Sequence, residues 1–411
     1  MTRRVVLPSG GAVRRLRWLA VPAAIALAGA SFAQAAAGVG LPVRVFEPWG
    51  PSFFAWRPGH QALEAALLRP GPVRSGTVRP ETERLQEAAR RILIEQPLSA
   101  AGLRLMAWSD AQDGREAEAM RRIGMIERIT RRDAVAQLWL LEDAVRRDDV
   151  PGVLRRYDAL MRTQADMRAP LLEKLSGGLA SEPVRSGLAD YVDAGSPWAP
   201  DLLHFAGRQG TAGEAAALLM NVPALPDTTR YRSAYAALVA ALARENDFAS
   251  LRRLYPRLPG SADSSLADPG LAGGGASQGY APFRWSLTDS AERAARLEGD
   301  SLVVSAAPFS VGPAASRLVL PPPRPVALSW TVEPVGPGTG SAYWVMRCRD
   351  TGQVNHSPDL LGAASGSGVL AAPQPCAAVD LTLLVDGGTG GQGPSFRLTR
   401  LRWADGEGTS R

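Results

Sequence analysis

The groups in this 411-residue chain that could do chemistry are few: three histidines, two cysteines and scattered carboxylates. Paired carboxylates would suit glycoside hydrolysis, which needs an acid and a base or nucleophile at a fixed separation across a cleft. Glu298, Asp300, Glu333, Asp350, Asp359, Asp380 and Asp386 are the candidates, but several fall where turns favour Asp anyway. His356 lies in Val354-Asn355-His356-Ser357, a predicted loop with no nucleophile elbow anywhere in the chain to partner it. Cys348, Cys376 and the histidines are too widely spaced for a zinc site, so no metal and no cofactor is expected. In an exported chain one cysteine pair reads first as a disulfide. The run Asp386 to Gly393 looks like a phosphate-cradling loop, but it lacks Gly-Lys-Ser/Thr and leads into a strand rather than a helix. A flexible hairpin loop is the expectation, and no catalytic residue is assigned.

Tryptophans are the next candidates, because aromatic faces suit the apolar faces of sugar rings. Trp330 and Trp344 alternate in step with Val, Leu and Met, which by strand parity assigns them to a core. Trp285 and Trp403 sit nearer strand ends and are the two carried forward as binding candidates.

Two kinds of element must position these groups. Residues 101–160 repeat at an offset of 34: Leu105 falls on Trp139, Met106 on Leu140 and Ala107 on Leu141. Further along, Ala119 falls on Val153, Ile123 on Tyr157 and Ile126 on Leu160. That period, with polar turns at Gln112-Asp113-Gly114 and Arg147-Asp148-Asp149, predicts stacked helical hairpins. Ala107, Ala119, Leu141 and Tyr157 are the expected packing positions. Helical signal runs from about Pro80 to Leu258, and Thr130-x-x-Asp133 and Thr211-x-x-Glu214 read as capping boxes. Beyond the Gly/Ser/Ala-rich stretch 259–280 the period changes to two. Val326, Leu328, Trp330 and Val332 share one face; so do Trp344, Met346 and Cys348, and Val379, Leu381, Leu383 and Val385. With Phe283–Leu287, Ser301–Ala307, Arg317–Leu320 and Phe396–Trp403, about eight strands predict an antiparallel sandwich. The fold class is therefore multidomain α + β.

Charge narrows the partners. The formal charge is +6, yet Arg3, Arg4, Arg14, Arg15 and Arg17 supply five of those charges, leaving a balance near +1. No basic stripe remains to follow a phosphate backbone, so nucleic acid is not an expected partner. Residues 18–43 carry no charge, long enough for a helix to cross a bilayer, with the arginines on the cytoplasmic side. A cleaved signal with Ala33-Gln34-Ala35 at its end is the alternative, and both export the chain. The expected layout is a basic stub and anchor at 1–43, a linker at 44–79, helical repeats at 80–258 and a linker at 259–280. A sandwich at 281–405 and a tail at 406–411 complete it. The expected place is the inner membrane, with the folded part periplasmic.

The two units at 101–162 resemble tetratricopeptide repeats, with Ala107 and Ala119 at the small-residue positions. The order of anchor, hairpins, Gly-rich linker and sandwich is similar to membrane-anchored helical-repeat proteins of Gram-negative bacteria. The residues that carry this likeness are Pro282-Phe283-x-Trp285, Arg317 to Pro322, Trp344-x-x-Arg347-Cys348, Pro375-Cys376 and Leu398-x-x-Leu401. The resemblance implies a carbohydrate-binding jelly roll and a place in envelope polysaccharide production. The function expected is a scaffold or adaptor: a protein partner on the helical surface and a polysaccharide on the sandwich. The alternative is a glycan hydrolase or lyase that uses the β domain.

Overall fold

A computed structural model describes residues 79–261, 264–271, 279–362 and 366–405. The uncharged run 18–43, the linker 44–79 up to Val78 and the tail 406–411 lie outside them. Among the described residues no helix is long and apolar enough to cross a membrane. The architecture is a helical region followed by two antiparallel sheets. The chain divides into two compact units, one ending at Lys174 and the other running from Leu175.

In the first unit α1 (Arg79–Glu95) precedes two hairpins, α2 (Ala100–Gln112) with α3 (Glu116–Ile129) and α4 (Ala134–Arg146) with α5 (Val150–Thr163). The second hairpin starts and ends 34 residues after the first, helix for helix, as the repeat predicts. Helix starts repeat chemically as well: the Ser99 and Asp133 side chains accept from the backbone N–H groups of Gly102 and Ala136. The cap of α4 is therefore Asp133, while Thr130, the expected cap, closes α3. Ala107 and Ala119 lie fully buried in one cluster with Leu103, Ile123, Ile126 and Ala136, where small side chains let α2 and α3 close together. Leu141 is buried, and Tyr157 is partly buried with its phenol pushed up to about 12 by that burial.

Helix α6 (Arg168–Gly178) leads on to α7 (Glu182–Asp193), α8 (Ala199–Gln209), α9 (Ala212–Met220), α10 (Thr229–Arg244) and α11 (Phe248–Leu254). The second expected capping box is not made: Thr211 begins α9 without a side-chain cap bond, its hydroxyl lying 2.7 Å from Ser176 Oγ instead. A short α12 (Ser264–Ala267) precedes the strands.

The sandwich has ten strands: β1 (Ser286–Leu287), β2 (Arg293–Glu298), β3 (Ser301–Ala306), β4 (Val311–Val319) and β5 (Val326–Pro334), then β6 (Ser341–Cys348), β7 (Val354–His356), β8 (Ser367–Ala371), β9 (Val379–Asp386) and β10 (Ser395–Asp405). One sheet has the order β1-β4-β9-β6-β7 and the other β2-β3-β10-β5-β8. Apart from the β2–β3 and β6–β7 hairpins and the β1–β2 link, most connections also cross between the sheets, so neither sheet can form from consecutive strands alone. The alternating apolar residues of β5, β6 and β9 meet inside with Phe396 and Leu398 of β10. Trp330 and Trp344 lie in this core, as their parity requires.

In the second unit the helices pack on the sandwich across the stretch expected as a linker. Tyr255, just after α11, stands edge-on to Tyr280 and Phe283, at ring separations of 6.1 and 5.3 Å. Arg252 Nη2 donates to Pro321 O (3.3 Å), and Arg349 Nη1 donates to Ala243 O at the end of α10 (2.8 Å).

Candidate functional site

The open face of the first sheet carries a cleft of about 710 Å³ over β1, β4 and β9. Its polar lining comes from strand register. Ser286 pairs with Ser316, and Ser316 with Thr382, so the three hydroxyls form one row across three adjacent strands. They share the outward side because Leu287, Ala315, Leu381 and Leu383, next along their strands, point inward. Neighbouring strands set such groups roughly 4.8 Å apart. None of the three hydroxyls has a hydrogen bond to a described residue.

Charge surrounds the row. Arg284, just ahead of β1, lines the cleft, is exposed and forms no ion pair or hydrogen bond among the described residues. Arg349 grips Asp380 with two nitrogens, Nε at 2.9 Å from Oδ2 and Nη2 at 2.9 Å from Oδ1. Arg317 lines the floor, its guanidinium 5.9 Å from the centre of the Trp285 ring and its Nη1 donating to Gly270 O (3.3 Å). Burial pulls the Arg317 guanidinium down to about 10, opposed by Asp268, so it remains a cation at neutral pH. Three arginines thus face one carboxylate, which is already committed.

The tryptophan candidates lie elsewhere than on a platform. Trp285 is buried beneath the cleft, 6.1 Å from Trp344 and with its indole N–H donating to Gly270 O. Trp403 is half-buried in β10 and donates to Ala267 O at 2.6 Å. The large exposed aromatic is Phe309, 76% accessible and held at a φ of +63° in the turn before β4. Its N–H donates to Gly388 O in the glycine-rich loop. A side chain at Gly387 or Gly393 would lie within 2 Å of the carbonyl oxygens of Ala307 and Ala306, so those glycines serve close chain crossing.

The carboxylates of the β half are separately engaged. Asp359 accepts from the N–H groups of Ala342 and Leu361, Asp386 from Gly388, and Asp350 from Ala377. Arg296, with help from Arg397, holds Glu298 below the usual carboxylate range. His356, expected in a loop, ends the edge strand β7 and is exposed. Cys348 and Cys376 are joined in a disulfide with Cα atoms 5.7 Å apart. Asp350 lies close enough to both sulfurs to suggest a metal trio, but each sulfur is bonded to the other.

On the helical side, Ala111, Glu116, Met120, Trp139, Glu142 and Arg146 surround a hollow of about 170 Å³ between α2, α3 and α4. Beneath it, the buried carboxylate of Asp110 receives Arg122 Nε at 2.6 Å and Arg115 Nη2 at 2.7 Å. No known protein-family model matches the chain, and no curated protein matches it. The class that the fold defines is a multidomain α + β protein, helices first and sandwich last.

The hydroxyl row was missed in the sequence because it exists only through register. Ser286, Ser316 and Thr382 are far apart in the chain and have no shared motif. Arg284 carried a weak signal, standing beside the quoted Pro282-Phe283-x-Trp285.

Proposed function

We propose that this chain is an exported, membrane-anchored adaptor that contacts a protein through tetratricopeptide-like hairpins and a glycan through a jelly-roll-like sandwich, in envelope polysaccharide production. The observation that supports it best is the cleft, which presents uncommitted hydroxyls and an unpaired arginine while its one carboxylate is tied to Arg349. Such a lining suits holding a polar ligand, whereas two-carboxylate hydrolysis requires a second acid in the same cleft. The hollow at Trp139 and Glu142 offers an aromatic wall with charges of both signs, the composition of a protein contact.

The test places a photo-crosslinking residue at Glu142 in the full chain and, separately, at Arg131 on the turn before α4. A discrete adduct with one other protein from position 142 alone supports the adaptor. Crosslinks of equal yield from both positions, or release of reducing ends from a polysaccharide by the purified chain, would overturn it in favour of the enzyme.

A further inference from the structure

We infer that the cleft over β1, β4 and β9 binds an acidic glycan of the uronate class, with Arg284 meeting the carboxylates and the row Ser286, Ser316 and Thr382 meeting the hydroxyls. This rests on the reading of the sandwich as the glycan-contacting part. Three observations converge on it. First, a row of free hydroxyls spaced by the strand separation, roughly 4.8 Å, repeats at about the length of one pyranose ring. Each hydroxyl both donates and accepts, so the row complements a ligand whose own groups do the same. Second, the cleft keeps a surplus of two positive charges, because Arg284 and Arg317 stand against no carboxylate beyond the one that Arg349 neutralises. A neutral glycan would leave that surplus unanswered, and an anion answers it. Third, Asp380 remains in the lining, so a compact dianion such as phosphate would meet a like charge. A chain carrying one charge per sugar can set its carboxylate at Arg284 and pass its hydroxyls over the row.

The floor supports the same assignment. Trp285 and Arg317 converge on Gly270 O from beneath, so the surface that carries Ser286 and Ser316 is backed by packed side chains. Arg349 is held by Asp380 and Ala243 O, which fixes the wall opposite Arg284.

The experiment is affinity electrophoresis of the full chain through gels containing polygalacturonate, dextran or no polymer, with millimolar orthophosphate as competitor. Polygalacturonate should retard the protein and dextran should not, and the retardation should weaken as salt is raised. Arg284→Ala, and separately the pair Ser316→Ala with Thr382→Val, should each weaken binding about tenfold, the loss of a charge-assisted or of two ordinary hydrogen bonds. Their unfolding midpoints should match the parent's, since none of these side chains has a protein partner to lose. Equal retardation by dextran would overturn the acidic class while leaving a glycan-contacting sandwich. Retardation unchanged in both variants would move the site off this cleft. Displacement by orthophosphate would reduce it to a simple anion site. Retardation by neither polymer would overturn the inference together with the glycan half of the proposed function, and the crosslinking test would still decide the adaptor half.

Discussion

Arg349 joins more of the molecule than any other side chain around the cleft. It follows Cys348 in sequence, clamps Asp380 on β9 and donates to the end of α10. Arg349→Ala should lower stability by about 2 kcal/mol, from lost charge-assisted hydrogen bonds and an uncompensated Asp380, and Arg349→Lys should recover less than half. Chemical denaturation of the full chain would measure it, and an unchanged midpoint would show the clamp to be idle. In the helices, burial would raise the Asp110 carboxyl, but hydrogen bonds from Arg122 and Arg115 outweigh it and hold the group below its ordinary 3.8. A lowered native value stabilises the fold above the unfolded pKa, and this contribution is lost as the pH falls through the native value. Asp110→Asn should therefore unfold more easily than the parent at neutral pH, with the two midpoints converging well below pH 3.8. At this scale the sequence was least informative about the site. Trp285 and Trp403 were chosen for ring chemistry, yet both indoles donate to backbone carbonyls in packed surroundings. The hydroxyls that line the cleft are ordinary serines and a threonine until pairing aligns them.

Among the elements, the hairpins were the most legible, because a 34-residue offset constrains helix type, length and facing residues together. Ala119→Leu should overpack the α2–α3 contact and cost about 1–3 kcal/mol, read from the unfolding midpoint. An unchanged midpoint would remove Ala119 from the helix contact. Strands β5, β6 and β9 were legible from strict alternation, since one face is core and the other is not. Strand β2, with the sequence Arg-Ala-Ala-Arg-Leu-Glu, was not, because it lies at a sheet edge and buries little. Strands β7 and β8 escaped for the same reason: short edge strands carry no long apolar period. The disulfide joins the end of β6 to the segment before β9, spanning 28 residues. Its reduction should cost the sandwich about 3–4 kcal/mol in the chain-entropy model, visible as a lower midpoint with reductant present.

For the molecule as a whole, the division after Lys174 bears on how the protein can be dissected. Cutting at Leu258 would strip Tyr255 of Tyr280 and Phe283, and Ala243 of Arg349. Helices α7 to α11 should then lose protection from protease, whereas a fragment beginning at Leu175 should keep it. Resistance of the fragment ending at Leu258 would show those helices to stand without the sandwich. The composition change at 259–280 was plain in the sequence, but aromatic contacts made across it were not, since they depend on where the chain returns. The proposed anchor belongs to this scale too. A C-terminal reporter active only outside the cytoplasm, on protein that stays with membranes, is the expected outcome. A soluble mature form starting near Ala36 would replace the anchor with a cleaved signal.

The position of β10 imposes an order in time. It is the last strand of the chain, yet it lies in the middle of its sheet, between β3 and β5. A chain delivered N-terminus first presents β3 and β5 long before the strand that joins them. Until Ser395–Asp405 arrives, both have an unpaired edge, and the inner apolar face has lost Phe396 and Leu398. The sandwich is thus a late event of biogenesis, and any glycan surface it carries matures only as synthesis ends.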